Sequence, residues 1–161
     1  MKALTIWQPW ASLIMVNAKP FEFRHWSYAK RFPALVGQRI VIHAGAPKVK
    51  EAAVQDLLAR LVGTPEERAS TGLNAAPALD LLGRCWGGLL GGRQVLPLAH
   101  GLGTAVLGKP RLVRSVRPMS DSERKDKELW AWPLHSIEAF EPPVPAKGAQ
   151  GFWTWGGGHA G

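Results

Sequence analysis

The sequence predicts an α+β domain: a small mixed β-barrel with flanking helices and one Gly/Ala/Leu-rich insertion. Three observations lead there. Short β-rich runs recur along the chain, each bounded by Pro or Gly. Only two or three stretches carry apolar residues at helical spacing. The length, 161 residues, suits one domain able to bury roughly 70% of its unfolded surface. Many short strands with few helices favour a small barrel over a layered parallel sheet.

In order along the chain, residues 2–7 alternate weakly and read as a strand. Pro9 suits the first turn of a helix that shows Trp10, Leu13 and Ile14 on one face, with Asn17 as its left-handed terminator. Residues 20–26 read as a strand, placing Phe21 and Phe23 on a core face and Glu22, Arg24 and Trp26 on the other. Arg39–His43 is a third strand. Residues 48–62 have helical spacing at Val54, Leu57, Leu58 and Leu61, closed by Gly63. Residues 63–96 form the insertion, read as a lid rather than a second core, with a helix near 76–86. Strands are expected at 102–108 and 111–116, broken at Lys109-Pro110, then at 128–132 and 135–140, split by Pro133. Pro142–Pro145 reads as an extended connector, 151–155 as the last strand, and 156–161 as a flexible Gly-rich tail. Ser120-Asp121-Ser122-Glu123 reads as a helix N-cap. The whole of 1–161 is one domain on this reading.

Composition excludes several classes. Hydrophobic residues are 46% and charged residues 20%, too apolar for disorder. The single cysteine, Cys85, leaves no disulfide framework or Cys-rich zinc module, and reads as buried filler. No apolar run reaches the length of a spanning helix, about 18 residues or more. Gln8 and Pro9 interrupt what a signal peptide would need as a continuous apolar stretch, so a cytoplasmic protein is expected. Glu66 and Glu67 read as solvated, and the histidines have no metal-ligand spacing. The formal charge is +8, unevenly spread. Residues 1–50 carry eight Lys and Arg against Glu22 alone, and residues 108–117 carry Lys109, Arg111, Arg114 and Arg117 without an acid. Such asymmetry suits a polyanion-binding face. A membrane surface fits poorly, because no strongly basic amphipathic helix is present.

The segment Asn17-Ala18-Lys19-Pro20-Phe21-Glu22-Phe23-Arg24 resembles the G-x-K-x-x-E-x-R signature of the ASCH domain family, a branch of the PUA-like barrels. Lys19, Glu22 and Arg24 match; Asn17 replaces the glycine, and Asn also tolerates a left-handed cap. Trp7–Ile14, Ile42-His43-Ala44 and the closing stretch Pro142–Trp153 resemble the small ASCH proteins of bacteria and phages. Residues 63–96 resemble nothing in the family. The resemblance implies a PUA-like barrel that binds RNA or modified nucleotides. PUA-like relatives such as YTH and EVE domains hold modified bases in aromatic cages. Some ASCH-like proteins deacylate acetylated cytidine with a Lys and a Thr of this signature, and Glu22 stands where that Thr lies. Others are reported as metal-dependent ribonucleases, which would bring a divalent metal; otherwise no cofactor is expected. Eukaryotic relatives belong to transcriptional coactivators, but the basic N-terminal third favours nucleic acid over an adaptor role.

The residues themselves suggest the chemistry. Two cations and a carboxylate in a cleft can hold a phosphate or a base edge, and a carboxylate can accept from an exocyclic amine. A desolvated Lys19 or Glu22 can also act as general acid or base in the enzymatic alternative, a hydrolase with Lys19 and Glu22 as catalytic residues. The competing possibility is a structural ion network. Eight tryptophans supply stacking rings, each stacked base being worth about 1–3 kcal/mol; at least half of them are expected to be structural. The candidate binding residues are Lys19, Glu22, Arg24, Trp7, Trp26, His43 and Trp132, with single-stranded RNA or a nucleotide as partner.

Overall fold

A computed structural model describes residues 1–115 and 128–157. The N-cap reading at Ser120–Glu123 lies outside them. The architecture is α+β. Strand β1 (Lys2–Ile6) leads into helix α1 (Trp10–Met15), then β2 (Phe21–Arg24) and the short α2 (Tyr28–Arg31). Strand β3 (Arg39–Ala44) precedes three helices, α3 (Glu51–Leu61), α4 (Pro65–Ser70) and α5 (Ala75–Leu90). The chain ends in β4 (His100–Leu107), β5 (Arg111–Ser115), β6 (Glu128–Pro145) and β7 (Phe152–Thr154).

The strands form one seven-stranded sheet in the order β2-β6-β4-β3-β1-β7, with β5 also on β6. Only β1 and β3 run parallel. Strand β6 organises the sheet. Its first part lies between β2 and β5, and its second pairs with β4. The two strands expected to split at Pro133 are therefore one continuous strand, and Pro142–Pro145 belongs to it rather than to a connector. Pro133 fits because its carbonyl can still accept from the neighbouring chain although it has no N–H to give: Gly108 N donates to Pro133 O at 2.8 Å.

The barrel expected from the sequence is not closed. The hydrogen-bonded path has ends at β2 and β7, strands of four and three residues. Side chains reach across where the ladder does not. Phe152 of β7 stacks on Trp132 of β6 at 5.9 Å, and Tyr28 packs edge-on to both rings. Leu4, Ile6, Ile14, Ile40, Ile42, Leu102 and Leu107 complete this core.

The insertion does more than cover the sheet. Ala78, Leu81, Leu82 and Cys85 of α5 meet Val54, Leu57 and Leu61 of α3 and Leu13 of α1 in a second buried cluster. Helix α1 joins the two cores, giving Ala11 and Ile14 to the sheet and Leu13 to the helices. Helix α5 continues beyond the expected end near 86, through Gly87 and Gly88. At Gly88 a Cβ would sit 2.0 Å from Val95 Cγ2, so the returning chain packs where only glycine leaves room. Glu67 is not merely solvated: it closes a capping box with Thr64 at the start of α4.

Candidate functional site

Helix α1 ends at an abrupt turn that delivers the signature. Asn17 adopts φ 57°, the left-handed conformation read from the sequence. The N–H groups of Ala18 and Lys19 both donate to Leu13 O, at 2.9 and 3.0 Å. Asn74, at the head of α5, ties the turn from outside: its side-chain amide donates to Asn17 O and its N–H to Ala18 O, both at 2.8 Å. The insertion thus anchors the turn from which Lys19 projects.

Lys19 and Glu22 are each only 7% exposed. Lys19 Nζ donates to Glu22 Oε2 at 2.8 Å and to Phe21 O. Arg24 Nε donates to Glu22 Oε1 at 2.8 Å. One carboxylate therefore sits between two cations, with a different oxygen facing each. Burial pushes the Lys19 amine below its ordinary value; Glu22 pulls it back up, and Arg24 adds a smaller downward push.

These three side chains line a cavity of about 680 Å³, within the usual range for small-ligand sites. Its walls come from Thr5–Trp7 and Trp10, from Phe23 and Trp26, from Thr71 and Gly72 between α4 and α5, and from Gln150 and Gly151 just before β7. The cavity thus lies at the seam between the two ends of the sheet. Trp7 is 58% exposed and Trp26 38% exposed. The convergence expected of Lys19, Glu22 and Arg24 is present, together with the two rings expected beside it. Trp26 lies in the bend after β2 rather than on the strand.

Two candidate residues are elsewhere. Trp132 is completely buried; its indole N–H donates to Trp26 O at 3.0 Å, and its ring meets that of Trp26 edge-on at 4.9 Å. It supports Trp26 from the core instead of offering a face to a ligand. His43 is 1% exposed and does not line the cavity. Its Nε2 lies 2.8 Å from Ala146 O, which only accepts, so Nε2 carries the proton and Nδ1 accepts from Thr5 Oγ1 at 3.2 Å. Burial lowers its pKa. His43 pins the 146–151 segment, which closes tightly over it: a Cβ on Gly148 would come within 2.4 Å of the imidazole.

The face assignment on β2 is also corrected. Glu22 points inward and Phe23 is exposed. The ion triad needs the interior side, while the phenyl rings lie against cations: Arg111, outside the triad, is 5.0 Å from the Phe21 ring, and Lys19 of the triad is 5.5 Å from that of Phe23. Sequence reasoning missed Phe23, Trp10, Thr71, Gly72, Gln150 and Gly151 as cavity residues. Gln150-Gly151 lies within the closing stretch that resembles the family; Thr71-Gly72 carries no comparable signal.

No protein-family model matches the chain, and no curated protein matches it at a significant level.

Among the described residues, no group of three His, Cys, Asp or Glu side chains is placed to hold a metal ion, and no helix is long and apolar enough to cross a membrane. Cys85 is buried in the helical core, which pushes its thiol pKa up.

Proposed function

We propose that the cavity binds a base of single-stranded RNA or of a free, including modified, nucleotide, and that the chain is an open variant of the PUA-like ASCH domain. One observation carries this reading: the buried Lys19 and Glu22 and the partly exposed Arg24 line a cavity large enough for a nucleotide beside two exposed indole rings. A base stacked on Trp7 or Trp26 would present its edge to the triad. Arg24, one-third exposed through its side chain, is placed to meet a phosphate as well. Lys30, over the Trp130 ring at 4.9 Å, and Arg111, over Phe21, extend the positive charge along the outer face of β2, β5 and β6.

Titration of the intrinsic fluorescence with single-stranded RNA tests the proposal. Quenching should saturate, and the log–log salt slope should gain about −0.7 for each phosphate contacted. Trp7→Ala should weaken binding by roughly 1–3 kcal/mol. Salt-independent binding, or full affinity when Trp7 and Trp26 are both replaced by Ala, would contradict it.

A hydrolytic role has its own supporting observation, the lowered pKa of Lys19 beside a carboxylate in a cleft. On that reading Glu22 directs a water and Lys19 provides the general acid–base group for hydrolysis of an acylated cytidine or an RNA phosphodiester. Turnover of either substrate that disappears in Lys19→Met would favour it; absence of turnover, with and without divalent cations, leaves the binding role alone.

A further inference from the structure

We propose that the base this cavity selects is guanine, an inference that rests on the nucleotide-binding reading above. It comes from the order of hydrogen-bonding atoms in the triad. Lys19 Nζ, Glu22 Oε2, Glu22 Oε1 and Arg24 Nε follow one another through contacts of 2.8 Å at each end. The order is donor, acceptor, acceptor, donor. Each carboxylate oxygen has two lone pairs, so each keeps one after receiving its cation. The ammonium has three protons, and among the described residues Phe21 O and Glu22 Oε2 take two.

The first three members, amine, acceptor and acceptor, reproduce the sequence of groups on the pairing edge of cytosine. The complement is an edge that reads acceptor, donor, donor. Guanine has that edge in O6, N1–H and the 2-amino group. O6 would take the third Lys19 proton, and N1–H and the amine would meet the two Glu22 oxygens. The guanidinium of Arg24 flanks the amine on the N3 side.

The other bases mismatch at a defined atom. Adenine would set its 6-amine against the Lys19 ammonium and N1 against Glu22 Oε2, with C2–H facing Oε1. Cytosine offers an amine followed by two acceptors, so N3 would oppose a carboxylate lone pair. Uracil has one N–H between two carbonyls, and a carbonyl would oppose the carboxylate. Because Lys19 and Glu22 are buried, such a mismatch leaves a desolvated polar group without a partner and is penalised more than at a wet surface. The large purine ring also gains most from stacking on Trp7 and Trp26.

The test uses the full chain and uridine oligonucleotides carrying one central guanosine, inosine, adenosine or cytidine, with all-uridine as baseline. Inosine keeps O6 and N1–H but lacks the 2-amino group. The guanosine probe should bind about tenfold or more tightly than the adenosine, cytidine and all-uridine probes, with inosine between. Glu22→Gln, which replaces one acceptor by a donor, should abolish the preference for guanosine over inosine. The wild-type ranking needs no variant, so the test stands if Glu22→Gln fails to fold. Equal binding of all probes overturns guanine selection and leaves the nucleic-acid reading intact. Tighter binding of adenosine or cytidine than guanosine does the same. No binding of any probe removes both.

Discussion

Glu22 links the two possible roles of the triad, because among the described residues its carboxylate is the only one paired with either Lys19 or Arg24. Removing that charge leaves Lys19 buried beside Arg24. Breaking a buried pair costs roughly 3–5 kcal/mol, and the loss in Glu22→Gln should fall at or below the lower end, since Arg24 reaches solvent and Lys19 can shed its proton. Thermal melting measures this loss, and ligand titration of the same variant measures the binding role. A large drop in melting temperature with affinity intact would make the triad purely structural. His43 gives a pH-dependent prediction. Its pKa is lowered in the folded state from 6.5, so below 6.5 the unfolded chain takes up the proton first. Stability contributed by neutral His43 is therefore present above that value and is lost as pH falls towards the folded pKa. The melting temperature of the wild type should drop more steeply between neutrality and about pH 5 than that of His43→Gln; parallel curves would show that His43 does not titrate in this range. At this scale Lys19, Glu22, Arg24, Trp7 and Trp26 are legible in the sequence because all five lie within residues 7–26, where a single turn at Asn17 sets their relations. His43 and Trp132 are not, since their burial depends on strands β6 and β7 far along the chain.

Helix α5 shows how an element can exceed its local signals. Its apolar spacing marks the helix, but Gly87 and Gly88 suggest an earlier stop than the one observed. The energy of continuing comes from tertiary packing against α3 and the 93–96 segment rather than from propensity. The two glycines should accordingly respond in opposite ways. Gly87 has open space where a Cβ would go, so Gly87→Ala should stabilise the protein by about 0.5–1 kcal/mol. Gly88→Ala would collide with Val95 and should destabilise it by about 1–3 kcal/mol. Chemical denaturation of both variants checks the pair; a stabilised Gly88→Ala would contradict the close packing at Gly88, and a destabilised Gly87→Ala the open space at Gly87. Strand β2 makes a related point. Its alternation is evident from the sequence, but which face is buried is not. Hydrophobicity alone would bury the phenyl rings, whereas the structure buries the carboxylate because Lys19 and Arg24 accompany it.

Across the whole molecule, the sheet stays open between β2 and β7, and the cavity occupies that seam. The sequence correctly implies a mixed α+β fold with mostly short strands, but not the 18-residue β6. It does not reveal the open seam, because closure depends on how far β2 and β7 run relative to each other after more than a hundred intervening residues. Nor does it show that the insertion supplies a second core, fastens the signature turn through Asn74 and lends Thr71 and Gly72 to the cavity wall. The charge asymmetry gains a location, since Lys19, Arg24, Lys30 and Arg111 gather around β2. The most direct measurement is a nitrogen–proton correlation spectrum recorded during titration with single-stranded RNA, in which the indole resonances act as position markers. The Trp7 and Trp26 indole signals and the Lys19 and Arg24 amides should shift together and saturably, while Trp86, packed against the helical core, stays in place. Saturable shifts that spare Trp7 and Trp26, or no shifts at all, would contradict it.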